Sequence, residues 1–410
     1  GSVGGVIIKS GVLRNVSMDF SDAYISLLSD AGTSQGFVFG GDPSLTEISR
    51  LSLNLTGVVM NIICSGGTKA LAEFDGAVSA LSLASTRANI DNSSVILHDA
   101  TIVMKVRATG AGINANVVSL QSLENSVVSI VNSSTFVQND AETSGTTGLM
   151  FSRFGANNTV TVAGLASQRA SFTLIGEGGP AVTLEVCPAS GNNFTIEHML
   201  FGVGTGKLGY ENRSTSVTSL LLQDASRATS FTEGNLALNN CSFQASALSG
   251  AVVSVKSTIS RSSVSNIDLT LFNISVLNGE GTSAVLGGAV PTEDSNSLPS
   301  AVTIAIFRTT FRVEVAGIPI SGTTLASAIQ AVKAVATGVA VHENNPALVV
   351  DLQSCKLEVI ALIKITTELA PYLSLIPTFV TKTSLFMSNV SNPSTQGSRG
   401  LQVRVNDTLA

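Results

Sequence analysis

The sequence predicts an all-β fold, a parallel β-helix of about ten coils forming a single domain over residues 1–410. Three observations predict it: a six-residue phrase that recurs along the chain, strand-like runs that alternate with it, and a near absence of helix signals. The phrase is apolar, any residue, small polar and often Asn, apolar or small, Ser or Thr, apolar. It reads Leu13-Arg14-Asn15-Val16-Ser17-Met18, Leu97-His98-Asp99-Ala100-Thr101-Ile102 and Leu238-Asn239-Asn240-Cys241-Ser242-Phe243. It returns as Leu271-Phe272-Asn273-Ile274-Ser275-Val276, Ile306-Phe307-Arg308-Thr309-Thr310-Phe311 and Leu352-Gln353-Ser354-Cys355-Lys356-Leu357. Looser copies start at Ile196 and Met387, and Ile130 to Phe136 carries the phrase with one residue inserted.

Between the copies lie further apolar runs, among them Gly36-Phe37-Val38-Phe39-Gly40, Val117-Val118-Ser119-Leu120, Gly148-Leu149-Met150-Phe151 and Gly338-Val339-Ala340-Val341. The spacing, roughly 31 to 46 residues, is that of stacked structural units. Val, Ile, Leu, Ser and Thr alternate in these runs with a period near two, the signature of strands. Only Thr323 to Thr337 places Leu325, Ala328, Ile329, Val332 and Val335 near helical spacing, and one short helical insertion is expected there. Short strands without helices point to one coil per repeat, with coils about 4.8 Å apart. A β-sandwich array fits less well, because hairpin dipeptides between alternating runs are rare.

Read by position, the phrase is a corner between two strands. Its first, fourth and sixth residues face inward; the second and third lie outside or at the bend. Asn suits the bend because it tolerates left-handed backbone better than any residue but Gly.

Charged residues make up 12% of the chain and hydrophobic residues 44%, so the charged fraction is about half the usual one. Ser, Thr, Asn and Gly must cover the surface, as on an extracellular or glycosylated protein. A net charge of −6, with 22 Lys and Arg forming no basic stripe, argues against nucleic-acid binding. The longest apolar stretch, Val359 to Val380, is interrupted by Lys364, Glu368, Pro371 and Pro377, so no membrane span is expected. The Gly-Ser start points to a processed or excised chain, or to a tag remnant.

Asn-X-Ser/Thr triplets occur at Asn15, Asn54, Asn92, Asn132, Asn157, Asn193, Asn212, Asn240, Asn273, Asn389 and Asn406, a moderate excess over chance. All eleven are candidate glycosylation sites. The corner phrase itself, with Asn at the bend and a hydroxyl two residues on, writes such a triplet at Asn15, Asn132, Asn240, Asn273 and Asn389. An outer Asn can carry a glycan and one packed inside cannot. Cys64, Cys187, Cys241 and Cys355 include no Cys-X-X-Cys pair, so no zinc site is indicated. Cys241 and Cys355 share the inward fourth position and read as buried thiols. Disulfides of Cys64 with Cys187, or Cys187 with Cys241, stay open.

Catalysis would need facing carboxylates or a positioned His. His98 and His198 fall at outward positions of their phrases, and His342 is isolated. The nearest carboxylate pairs, Asp19 with Asp22, Asp91 with Asp99, and Glu293 with Asp294, face no partner in a neighbouring coil. With no Trp and three Tyr, aromatic sugar platforms are scarce; the 17 Phe read as core. No cofactor or metal is expected.

On the repeat phrase, the chain resembles the pectate-lyase-like right-handed parallel β-helix superfamily, whose coils stack Asn at a bend. The resemblance implies a right-handed coil. Neither the paired Asp set of polygalacturonases nor the Arg and acidic calcium cluster of pectate lyases is present. The Ser/Thr/Asn-rich texture also resembles large surface proteins of flagellate protists such as bodonids. That likeness implies a glycosylated cell-surface, coat or flagellar-hair role without catalysis, and the expected role is an extracellular filament subunit joined end to end with copies or neighbouring segments. The strand-like ends Val6-Ile7-Ile8 and Leu401 to Val405, without caps, fit such stacking. The alternatives are a polysaccharide lyase or hydrolase with a lateral groove, and an adhesin using loops at Gly279 to Ser300 or Gly317 to Gly338.

Overall fold

A computed structural model describes residues 3–8, 11–29, 34–40, 45–65, 77–84, 90–106, 114–139, 146–152, 154–176, 181–186, 191–204, 216–222, 234–247, 249–255, 262–277, 283–288, 302–307, 310–318, 332–337, 346–354, 356–363, 386–388 and 400–406, with side chains described at most of these up to Cys241. Among the described residues there are strands and no helix.

One coil is complete between Ile90 and Gln121. It runs through strands Ile90–Asp91, Ser94–His98, Thr101–Val106 and Asn114–Gln121. Each strand pairs in parallel with its counterparts one coil before and one coil after. Ser94–His98, for example, lies between Ser52–Thr56 and Val127–Val131. Repetition of this rule builds an 11-stranded sheet from Val3–Ile8 to Phe386–Ser388, a 4-stranded sheet of short strands, and a 19-stranded sheet whose two walls meet at a corner. The molecule is a parallel β-solenoid.

Parallel register carries like onto like. Leu53, Val95, Val128, Val160, Phe194 and Leu236 form one inward column, and Leu55, Leu97, Ile130, Val162, Ile196 and Leu238 the next; all are buried. Truncating one of these leucines to Ala costs about 2–5 kcal/mol, from lost transfer energy plus the cavity left behind. Phe151, Phe154 and Phe194 meet within the same core, with ring centroids 5.8–6.2 Å apart. Phe136 is an exception among the Phe residues: it lies on an outward position and is half-buried.

Each of the first four coils has two left-handed corners seven residues apart: Asn15 and Asp22, Arg50 and Gly57, Asn92 and Asp99, Asn125 and Asn132. The third residue of the phrase is therefore the corner residue, as expected, at φ 54° for Asn15, 51° for Asp99, 49° for Asn132, 55° for His198, 51° for Asn240 and 52° for Ser354. The phrase marks both corners rather than one bend per coil. Copies at Phe20, Ile48, Leu55, Ile90 and Leu123 pass unnoticed in sequence because Arg or Gly replaces the small polar residue at the third place, Ser the apolar one at the fourth, or Tyr or Val the hydroxyl at the fifth.

Four expectations need correction. The phrase at Ile130 has no insertion: Ile102 pairs with Thr135, so a buried Thr fills the sixth position and Phe136 points outward. Apolarity favoured Phe, but register decides. The second half of the expected helix, Val332–Thr337, is a strand paired with Ser283–Gly288, where Val332 and Val335 suit a pleated surface; residues 323–331 and the strand expected at Gly338 to Val341 lie outside the described residues. Asn273 is not at a corner, because it lies in Ser262–Leu277 in register with Gln244 and Arg312. Met387 belongs to Phe386–Ser388 in the 11-stranded sheet.

Gly57 turns the second corner at φ 64°, and a Cβ there would lie 2.4 Å from Asp22 Oδ1. Gly57→Ala should lower stability by about 1–3 kcal/mol through strained backbone and crowding, read as a fall in the urea midpoint with unchanged slope. Asp22→Ala in the same background should recover part of the loss.

Candidate functional site

Several of the residues that sequence singled out, among them Asn15, Asn92, Asp99, Asn132, Asn157, His198 and Asn240, lie along the two corners. At the first corner the bend forces one side chain per coil onto the outer edge, where it meets its counterpart in the next coil. Backbone bonds fix the stacking: Asn15 N–H donates to Ser49 O at 3.1 Å, Arg50 to Asp91 O at 3.0 Å and Asn92 to Glu124 O at 3.1 Å. Side chains then bridge the coils. Arg50 Nη1 donates to Asn15 Oδ1 at 3.3 Å, Asn125 Nδ2 to Asp91 Oδ1 at 2.9 Å, and Asn157 Nδ2 to Asn125 Oδ1 at 3.2 Å. Asp91 also accepts from Asn92 Nδ2 at 2.5 Å. Arg14 pairs with Glu47 beside this edge and holds its carboxyl below the usual range through a hydrogen bond.

Behind the same corner runs a second, buried ladder that the sequence analysis did not anticipate. Ser93, Ser126, Asn158 and Asn192 take the inward position after the bend. Ser126 Oγ accepts from Ser93 N–H at 3.0 Å, Asn158 Oδ1 from Ser126 N–H at 3.0 Å, and Asn192 Oδ1 from Asn158 N–H at 2.9 Å. Each also donates to a carbonyl: Ser126 Oγ to Glu124 O at 2.7 Å, Asn158 Nδ2 to Leu123 O at 2.8 Å, Asn192 Nδ2 to Gly155 O at 3.0 Å. These bonds satisfy backbone groups that the tight corner leaves without a sheet partner, away from water. The available signal was a small polar residue recurring once per coil at a position otherwise held by Val16 and Leu51.

The second corner repeats the scheme. Outside, Asn132 Nδ2 donates to Asp99 Oδ1 at 2.6 Å. Asn240 Nδ2 lies 2.9 Å from His198 Nδ1, so an amide donor there makes Nδ1 the acceptor and leaves the proton on Nε2. Arg169 Nη2 donates to Asn240 Oδ1 at 2.6 Å, a residue that sequence reasoning also missed. Inside, Ser133 Oγ lies 3.1 Å from Leu97 O and 3.0 Å from Val131 O. Cys241 Sγ takes the same two places, 3.5 Å from Ile196 O and 3.4 Å from Asn239 O. Burial pushes its thiol up to about 12.

Of the candidate glycosylation sites, Asn15, Asn92, Asn157 and Asn193 are exposed, while Asn54, Asn132 and Asn240 are half-buried. Asn54 is on a wall, donating to Asp19 Oδ1 at 3.2 Å. Asn273 and Asn406 lie on Ser262–Leu277 and Gly400–Asn406; Asn212 and Asn389 lie outside the described residues. So do Cys187, Cys355, His342, Glu293 and Asp294. Cys64, like Cys241, is a buried thiol.

Among the described residues, Asp91, Asp99 and His98 do not share one site. Asp91 and Asp99 sit at different corners, each bound to asparagine amides, and His98 Nε2 lies 2.9 Å from Ser129 Oγ on a wall. Among the described residues, no three His, Cys, Asp or Glu side chains converge as metal ligands, and no helix is long and apolar enough to cross a membrane. Comparison of the chain with family models, curated proteins and solved structures finds no match.

Two outcomes test the ladders. Asn158→Leu should lower stability by about 1–3 kcal/mol for each buried group it leaves unpaired, whereas Asn158→Ser, the residue used one coil earlier, should cost less; chemical denaturation reads both. Cys241 should resist iodoacetamide at pH 8.5 in the folded protein and react on unfolding, and Cys241→Ser should fold, since Ser133 holds the equivalent place.

Proposed function

We propose that this chain is a non-catalytic structural element of an extracellular surface: a right-handed β-helical rod of about ten coils, N-glycosylated, acting as a coat or filament subunit. Right-handedness is the near-universal hand of parallel crossover connections. The observation that carries the reading is the employment of the polar side chains. Asn, Asp, Ser and Arg residues at the corners are bound to the coil above or below, so the chemistry of this chain is directed along its own axis.

A second observation favours end-to-end association. In the first coil the inward residues Val6, Leu13, Val16, Met18, Phe20 and Ile25 pack on the core but remain only partly buried. Strand edges and half-covered apolar side chains of this kind attract a further coil. Copies of the chain or neighbouring segments would cover them. A surface poor in charge accords with glycans as the solubilising layer.

Sedimentation and negative-stain microscopy across a concentration series should show rods that lengthen with concentration. Met18→Lys, which places a charge on the first coil's inner face, should shorten them to single units. Monodisperse monomers of the unaltered chain at high concentration would overturn the filament reading.

A further inference from the structure

The first corner places its sequons in one column, and the column skips coils. Successive occupants are Asn15, Arg50, Asn92, Asn125, Asn157 and Gly191. Asn15, Asn92 and Asn157 head Asn-X-Ser/Thr triplets; Arg50 and Gly191 cannot, and Asn125 does not, because Val127 stands where the hydroxyl would be. Adjacent coils are about 4.8 Å apart, so alternate ones are roughly 9.6 Å apart. A branched N-glycan core is wider than one strand spacing, and two such cores on neighbouring coils would collide.

We infer that this edge is a dedicated glycan rail, carrying N-linked glycans on alternate coils at Asn15, Asn92 and Asn157 while the second corner is bare at Asn132 and Asn240. The inference rests on the surface-glycoprotein reading above and adds to it which sites are used. The three rail asparagines are exposed. Asn157 spends one N–H on Asn125 and Asn92 one on Asp91, which leaves the second bond of each amide nitrogen for the sugar. Asn15 is held through its oxygen by Arg50, a contact in which the amide nitrogen takes no part. Arg50 and Asn125 thus orient the Asn15 and Asn157 amides and supply the gaps between the three sites. At the second corner the geometry is closed. Asn132 and Asn240 are half-buried, and Arg169 reaches across two coils to cover the Asn240 amide. Asn193 is exposed but lies two residues past the column, on the adjoining wall.

Glycans are attached before the chain folds, so the rail is a statement about which glycosylated chains can fold. Val127 is 51% exposed, and Val127→Thr completes a triplet at Asn125 with little change of shape. The full 410-residue chain would be secreted from insect cells and mapped by enzymatic deglycosylation in heavy-oxygen water with peptide mass spectrometry. The expected result is high occupancy at Asn15, Asn92 and Asn157 and about tenfold less at Asn132 and Asn240. In Val127→Thr, glycan at Asn125 should appear only in molecules lacking it at both Asn92 and Asn157, as read by intact mass beside the peptide map, or secreted yield should fall several-fold. The same variant made without glycans in a bacterial cytosol should match the unaltered chain in yield and Tm. Folded molecules carrying a glycan at Asn125 together with one at Asn92 or Asn157, or equal occupancy at both corners, would overturn the rail and leave the glycoprotein reading intact. No glycan at any site would overturn the glycoprotein reading itself.

Discussion

The structure depends on one constraint, the one-to-one parallel register between successive coils. Once Val95 is paired between Leu53 and Val128, every other residue of those strands is assigned a neighbour, and a slip by one would turn the whole apolar column to solvent. The register makes each coil a template for the next. It also means that a polar group in the interior has few places to find a partner other than the same position one coil away.

That requirement explains the two ladders at the first corner. A tight left-handed bend cannot keep all its backbone groups in the sheet, and those facing inward have no water to turn to. Ser93, Ser126, Asn158 and Asn192 supply the missing donors and acceptors in sequence, each serving the coil beside it. The outer ladder through Asn15, Arg50, Asp91, Asn125 and Asn157 is less demanding, because solvent can replace any one bond. Arg50 can accordingly stand where other coils have Asn. The inner ladder admits only Ser or Asn in the coils where it runs, and the second corner admits Cys241 only because its sulfur reaches the carbonyls that Ser133 reaches elsewhere.

Much of this was legible in the residues. The inward pattern of the phrase, the corner role of its third position and the burial of Cys241 all follow from alternation and from the steric preference of Asn, Asp and Gly for left-handed backbone. What stayed hidden depended on contacts between residues that lie far apart in the chain. Thr135 rather than Phe136 faces the core because Ile102 lies beside it, and no local rule prefers a buried Thr to a buried Phe. Val332–Thr337 has helical spacing by itself and becomes a strand because a sheet edge is waiting for it. Asn273 carries the phrase but not the bend, since the register of Gln244 sets its place. Arg169 gave no local sign, because its partner Asn240 is seventy-one residues away.

The seven-residue interval between the corners has a consequence for how such a chain can change. From Asn92 to Asp99 and from Asn125 to Asn132 the path is the same length, while the return path is not: it takes Gly57 until Asn92 to regain the first corner, and Asp99 only until Asn125. Insertions and deletions are therefore absorbed on one side of the coil and excluded from the other. A duplicated stretch of gene that spans one whole circuit would drop into the stack with both ladders continuous, so the rod can be lengthened in evolution by whole turns without a new fold having to be invented.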